Sequence, residues 1–458
     1  MTNETEPQPA EANQANSTPH YDNSAANDWS FDTRAIHAGQ SVDNGVGARN
    51  QPIYMTTSYV FNDTQHAQDR FALADPGPIY TRITNPTQEA LENRLASLEG
   101  GVAAVAFSSG MAAETAAITN LASAGDHIVT SPRLYGGTET LFEVTLPRLG
   151  IEVSFVDNPD DPDSWQQAVK PNTKAFYGET FGNPIADVLD IPAVAQIAHN
   201  NQVPLIVDNT MATAAIARPL ELGADIVVVS TTKFYTGNGA ALGGAIIDGG
   251  SFDWTVTRDG EPVFPYFVNP DPAYHGLVYA DLGAPAFAVK ARAGVLRDTG
   301  AAISPFNAWV ALQGMDTLGL RVEKHNANAL KVAEYLAAKD EVAHVNFAGL
   351  PDSPHYATKE KLGLQYTGSV LSFDLAGDPS DKTQAWAFID ALKLHSNLAN
   401  IGDVRSLVVH PATTTHSQST EAGLARAGIT QATIRLSVGI EDIDDILADL
   451  DRGFAAIA

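Results

Sequence analysis

From Trp29 onward the chain alternates short apolar runs with longer stretches whose apolar residues recur at helical spacing. Val102 to Phe107, His127 to Thr130, Ile151 to Val156, Ala175 to Glu179, Val203 to Val207, Ile226 to Val229 and Ala241 to Ile247 are strand-sized apolar runs. Between them Met111 to Leu121, Gly136 to Leu149 and Pro192 to Asn200 read as helices. Upstream, Thr84-Asn-Pro-Thr offers a cap to a helix over Gln88 to Leu98, with Leu91, Leu95 and Leu98 on one face. Such alternation predicts an α/β fold, a mostly parallel sheet covered by helices, with ligands at the carboxyl ends of the strands.

The flanks read differently. Residues 1–29, rich in Asn, Gln, Glu, Ala and Pro, have few large apolar groups and are expected to be a disordered tail. Residues 30–85 hold short extended pieces broken by Pro and Gly, and read as an arm that packs on something else. Residues 250–300 are irregular, Pro305 to Leu336 is strongly helical, and Ser369 to Leu375 and Ala432 to Ser437 are strands. The last helix places Ile443, Ile446, Leu447, Leu450 and Phe454 on one face, the mark of a smaller C-terminal α+β domain. The division expected is an arm at 30–85, a large domain at 86–302 and a C-terminal domain at 303–458.

Composition narrows the functions. At 458 residues and 44% apolar content the chain suits two or three domains with a normal core. No apolar run is long enough to span a membrane. The acidic opening, without Lys or Arg before Arg34, reads as neither a secretory signal nor a transit peptide. With no cysteine there is no disulfide, thiolate metal site or cysteine nucleophile, which fits a cytoplasmic protein. A formal charge of −27 argues against nucleic acid or anionic membranes as partners.

Candidate chemistry sits at the strand ends. Lys233 follows the run Val228-Val-Ser-Thr-Thr, and Asp208 closes Val203-Pro-Leu-Ile-Val. A lysine and an aspartate at strand mouths are what pyridoxal 5'-phosphate (PLP) requires: an amine to form a Schiff base with its aldehyde and a carboxylate to pair with its pyridinium nitrogen. Phe107-Ser-Ser-Gly-Met-Ala-Ala is a strand, a turn at Gly110 and a helix start at Met111, a place for phosphate or an ordinary strand–turn–helix. Ser230 and Thr232 carry hydroxyls beside Lys233, as strand ends often do. Tyr135, in Leu134-Tyr-Gly-Gly-Thr, is placed to stack on a ring or to pack a loop. Tyr80 and Arg82, two apart in an extended segment, form either a phosphate clamp or a packed phenol with a solvated arginine. Arg435 is a charge inside an apolar strand and needs an anionic partner, a substrate carboxylate or an internal ion pair. His410 and His416 read as structural loop residues.

Taken in order, Tyr80-Thr-Arg-Ile-Thr-Asn-Pro-Thr, Ser108-Ser-Gly-Met-Ala, Leu134-Tyr-Gly-Gly-Thr, Val207-Asp-Asn-Thr, Ser230-Thr-Thr-Lys and Arg435-Leu-Ser-Val-Gly-Ile-Glu-Asp resemble the Cys/Met-metabolism PLP enzymes of fold-type I. The resemblance runs from about Thr33 to the C-terminus. Thr33-Arg-Ala-Ile-His-Ala-Gly-Gln, the insert with Pro270-Asp-Pro-Ala-Tyr-His-Gly, Ser304-Pro-Phe-Asn-Ala and Gly402-Asp-Val-Arg-Ser-Leu-Val-Val-His-Pro are similar to the O-acetylhomoserine sulfhydrylases within it. Methionine γ-lyases often carry a cysteine where this chain has Gly137.

The resemblance implies a fold-type I transferase with a seven-stranded sheet, and a role for each residue. Lys233 would be the Schiff-base lysine and proton shuttle, Asp208 the pyridinium partner, and Tyr135 the stacking ring. Gly110, Met111, Ser230 and Thr232 would hold the phosphate. Tyr80 and Arg82 would reach the phosphate of a neighbouring subunit, making a dimer the minimal unit and a homotetramer, a dimer of dimers, the expected assembly. Arg435 and Asn183 would hold the substrate carboxylate, with Tyr54 or Tyr59 lining the pocket. The reaction implied is γ-replacement on O-acetyl-L-homoserine by sulfide, giving L-homocysteine for methionine biosynthesis. A γ-lyase, a cystathionine γ-synthase and a non-catalytic relative are the competing readings.

Overall fold

The computed structural model describes residues 28–40, 46–72, 74–75 and 77–458. The expected disordered tail lies almost wholly outside them. The first sheet has seven strands: β1 (Ala103–Phe107), β2 (His127–Thr130), β3 (Glu152–Phe155), β4 (Thr173–Glu179), β5 (Leu205–Asp208), β6 (Ile226–Val229) and β7 (Gly244–Asp248). Their spatial order is β1-β7-β6-β5-β4-β2-β3, and only β7 runs against its neighbours. Each central strand is buried on both faces, which is why the runs read as continuous Val/Ile stretches rather than alternating ones. Helices Pro86–Glu99, Gly110–Leu121 and Ile191–Asn200 cover the sheet and bury their apolar faces in its cores.

The smaller C-terminal domain is a five-stranded sheet in the order Val342–Asn346, Val370–Leu375, Thr433–Ser437, Leu407–Val409, Ser396–Asn397, antiparallel except for the last pair. Ile446, Leu450 and Phe454 of the last helix, Ile443–Ala455, are buried against it.

Several local expectations change for physical reasons. The strand expected from Ala241 starts at Gly244, because the backbone of Gly243 bonds Thr232 instead: its N–H donates to the Thr232 hydroxyl (3.0 Å) and its carbonyl accepts the Thr232 N–H (3.3 Å). The helix expected over Gly136 to Leu149 contains a π turn at Leu141–Thr145. Pro147 has no N–H for the carbonyl of Glu143, and the register widens just before it, Leu146 N–H reaching Leu141. The helical stretch from Pro305 divides into Pro305–Met315 and Leu318–Ala337. The arm, read as lacking long helices, carries two short ones at Phe31–His37 and Thr64–Phe71.

Candidate active site

The carboxyl ends of β1, β4, β5 and β6 open toward the strand Thr433–Ser437 of the second sheet, and a cavity of ≈ 200 Å³ lies between them. Ser109 caps the helix Gly110–Leu121, its hydroxyl accepting the Ala112 N–H at 3.1 Å. The N–H groups of Gly110 and Met111, ahead of any helical carbonyl partner, belong to a first turn that faces this cavity. Gly110 is required by a close approach: a Cβ there would sit 2.7 Å from Cβ of Ser230. Ser230 and Thr232 line the same wall, although the Thr232 hydroxyl is engaged with Gly243. A helix N-terminus, a tight glycine and adjacent hydroxyls make a cradle suited to a phosphate.

Asp208 ends β5 at the cavity floor, 9% exposed, with Oδ1 accepting the Thr210 N–H at 2.7 Å. Burial pushes its carboxyl above the ordinary value. Lys233 is half-buried on the facing side, and its Nζ donates to Oδ1 of Asn400 at 2.6 Å. Desolvation, and then the charge of Arg435, bring its amine down to about 8. Arg435 is 3% exposed within its strand, opposite Ser372 and Val409 on the neighbouring strands. Its guanidinium donates to Oδ1 of Asn183 (3.0 Å) and to the carbonyl of Asn400 (3.1 Å), and among the described residues no carboxylate is ion-paired with it. Burial lowers it to about 10, with Tyr135 opposing.

Tyr135 stands at the mouth with its ring half-exposed, its N–H held by Oε1 of Glu179 at 2.6 Å. A Cβ on Gly137 would meet Cε1 of that ring at 2.5 Å, so this ring position depends on glycine. A cysteine there would have to displace the tyrosine.

The structure thus brings together Lys233, Asp208, Gly110, Met111, Ser230, Thr232, Tyr135, Asn183 and Arg435. Tyr80 and Arg82 lie outside this cavity, exposed on the arm; the Arg82 guanidinium sits 5.5 Å from the Tyr80 ring centroid and donates to the carbonyl of Arg297. Tyr54 and Tyr59 do not line it either: the Tyr54 backbone is pinned by Thr87 and Asn85. His410 bonds Thr413 and the carbonyl of Gln431, in keeping with a structural reading.

Sequence reasoning missed Asn400, Glu114 and Glu179, all on the cavity wall. Glu114 had a signal, a lone charge in the alanine-rich helix Gly-Met-Ala-Ala-Glu-Thr-Ala-Ala, and the argument applied to Arg435 would have found it. Asn400 had none, since it joins the site only when the second sheet docks on the first.

Residues 32–455 match the family described as Cys/Met metabolism PLP-dependent enzyme. The chain belongs to that family. It is 74% identical over 439 residues to the O-acetyl-L-homoserine sulfhydrylase of Corynebacterium glutamicum, covering 96% of this chain and 100% of that one. The sulfhydrylase of the same name from Leptospira meyeri is 49% identical, with 93% and 97% covered. Among solved structures, an O-acetylhomoserine (thiol)-lyase from Campylobacter jejuni superposes with a TM-score of 0.89 at 39% identity, covering 93% of this chain and 100% of that one. That structure carries N'-pyridoxyl-lysine-5'-monophosphate. A cystathionine γ-lyase from Lactobacillus plantarum gives 0.80 at 31% identity, with 94% and 99% covered. PLP dependence comes with the family, and the phosphate cradle, the carboxylate of Asp208 and the depressed amine of Lys233 fit the cofactor's phosphate, ring nitrogen and aldehyde.

Proposed function

We propose that the chain catalyses γ-replacement: O-acetyl-L-homoserine and sulfide give L-homocysteine and acetate, in the cytoplasm and within methionine biosynthesis. The observation that carries this reading is 74% identity, over 96% of this chain and all of the relative, to a named O-acetyl-L-homoserine sulfhydrylase.

When bound, PLP supplies an electron sink for the pair released as the substrate Cα–H bond breaks. Asp208 would face the ring nitrogen from the floor, with Gly110, Met111, Ser230 and Thr232 around the phosphate. Arg435 would hold the substrate carboxylate: it is buried, already oriented by Asn183 and Asn400, and among the described residues has no carboxylate partner. Because Arg435 and Lys233 line the same cavity, a substrate so anchored would present Cα toward Nζ of Lys233. An amine near pH 8 is free often enough at neutral pH to take the Cα proton and strong enough to deliver one later. The same Nζ would serve the Cβ proton, since Lys233 is the one amine among the described residues that line the cavity. Acetate leaves Cγ with its bonding pair and needs little acid assistance. Sulfide then forms the new Cγ–S bond, and the protons return to Cβ and Cα.

Tyr80 and Arg82 are read as completing the phosphate site of a second copy within a homotetramer. Their position on an arm outside their own cavity supports this, as does the exposure of Met55 and Val60 on that arm, at 71% and 96%.

The test is a steady-state assay of the purified protein with O-acetylhomoserine, with and without sulfide, measuring homocysteine and 2-oxobutanoate separately. Homocysteine should dominate with sulfide, and Lys233→Ala should abolish turnover. Persistent 2-oxobutanoate in the presence of sulfide would move the chain to the lyases. Near-normal turnover by the alanine variant would refute the mechanism.

A further inference from the structure

The cavity floor holds more carboxyl groups than one ring nitrogen can pair with. Asp208 at the end of β5, Glu179 at the end of β4 and Glu114 in the helix Gly110–Leu121 all line it, with the phenol of Tyr177 packed behind them. All four are buried, Glu114 at 3% exposed. Lysine and arginine stand on the opposite wall, and among the described residues none is ion-paired with Glu114 or Asp208. Two neighbouring carboxylates without a cation cannot both remain ionised out of water.

The hydrogen bonds say which one keeps a proton. Asp208 accepts the Thr210 N–H and lies within hydrogen-bonding reach of the Glu114 carboxyl. Oε2 of Glu114 accepts the Thr138 hydroxyl at 2.9 Å, and its carboxyl also neighbours Asp208 and the Tyr177 phenol. Asp208 is thus met by both the N–H and the hydroxyl of Thr210, Glu114 by the Thr138 hydroxyl with the Tyr177 phenol beside it, and the contact between the two carboxyls requires a single proton. Desolvation and the proximity of Asp208 both push Glu114 well above the ordinary carboxyl value; burial raises Asp208 too, but the hydrogen bonds from Thr210 and Glu114 oppose that rise. Glu179 is pushed the same way as Glu114, but its acceptor oxygen is committed to the Tyr135 N–H.

We infer that Glu114 is a positioning residue: as a neutral acid it donates its O–H to Asp208, fixing the rotamer in which that carboxylate presents its remaining oxygen to the cofactor ring nitrogen. Thr138 orients Glu114, Glu114 orients Asp208, and only Asp208 touches the ring. The inference rests on the cofactor-site reading given above. It adds a group whose function depends on its being uncharged.

Gln and Leu at position 114 separate this from packing, because they are close in volume and only Gln can both accept from Thr138 and donate to Asp208. The infrared difference between the wild-type holoenzyme and Glu114→Gln, at pH 8, should show loss of a neutral-carboxylic-acid carbonyl band. Cofactor affinity, followed by PLP titration of the stripped proteins, should be kept in Glu114→Gln and weakened roughly tenfold in Glu114→Leu. The pH midpoint of the bound cofactor's visible absorbance should move in the Leu variant and stay in the Gln variant. A difference spectrum in which Glu114→Gln loses no neutral-acid band would overturn the proposal, and so would equal affinities for the two variants. Failure of the cofactor reading would show separately, as wild-type protein that takes up no PLP.

Discussion

Replacing Arg435 should change how fast the cofactor-stripped protein takes up PLP, and should do so through Lys233. Only the unprotonated amine condenses with an aldehyde, so the uptake rate follows the free-amine fraction. With a midpoint near 8, about a tenth of Lys233 is free at pH 7. An ordinary lysine at about 10.4 would be free in only about 1 molecule in 2,500, so the site gains roughly two-hundredfold. Desolvation is the larger cause and Arg435 the second. Arg435→Met therefore removes part of the depression, and the midpoint should settle between about 8 and about 10.4. Stopped-flow absorbance across pH 6–11 reads this without any amino-acid substrate, so loss of the carboxylate anchor does not interfere. Stability gives an independent view. Below about pH 8 both folded and unfolded states carry the ammonium and the fold bears its full desolvation cost. As pH rises from about 8 to about 10.4 the folded amine is already neutral and that cost is relieved. The relief is at most roughly 3 kcal/mol, less where water reaches the half-buried amine. A wild-type uptake midpoint near 10.4, or one that Arg435→Met leaves in place, would refute the reasoning.

Two further outcomes follow from one group on the cavity wall and one behind it. Asn400→Ala removes the acceptor for Nζ of Lys233 while leaving the backbone carbonyl that Arg435 uses, so kcat should fall roughly tenfold with KM nearly unchanged; a change in KM alone would contradict the assignment. Glu99, buried under Tyr235 and Asn209, is raised by desolvation to about 7, so its favourable contribution is full below about 4.5 and lost as pH rises through 7. Urea unfolding should show the stability of Glu99→Gln improving relative to wild type between about pH 4.5 and 7, by up to roughly 3 kcal/mol, and a gap that does not vary with pH would contradict that.

What the sequence disclosed depended on how local each feature was. The central strands of the first sheet are buried on both faces, so β5 and β6 appear as unbroken apolar runs, and Asp208 at the end of β5 and Lys233 shortly past β6 stand out by position. Boundaries failed where a side chain outcompeted the ladder, as Thr232 does at Gly243. Arg435 was legible because a guanidinium in an apolar strand demands a reason. Asn400 was not, because its role arises from two contacts, to Lys233 and Arg435, made across 167 and 35 residues of chain. Glu99 was also hidden, since a glutamate at a helix end is ordinarily solvated. Its burial follows from the packing of that helix on the first sheet, where it joins Asn209, next to Asp208, to Tyr235, two residues past Lys233.

The acidic chain and its site have opposite needs, and burial resolves them. A net charge of −27 spread over the surface is screened within about 8 Å at physiological ionic strength, so it acts on approach rather than inside the cavity. Inside, each charge is set by its few neighbours. On one wall Lys233 and Arg435 repel each other and lower the amine, which makes a base while leaving one fixed cation for a carboxylate. On the floor Asp208 and Glu114 share a contact that admits one proton, which leaves one carboxylate for a ring nitrogen. Each like-charged pair therefore yields one charged group to bind and one neutral group. The two pairs face each other across a cavity of ≈ 200 Å³, with charges complementary to a zwitterionic substrate on a protonated ring.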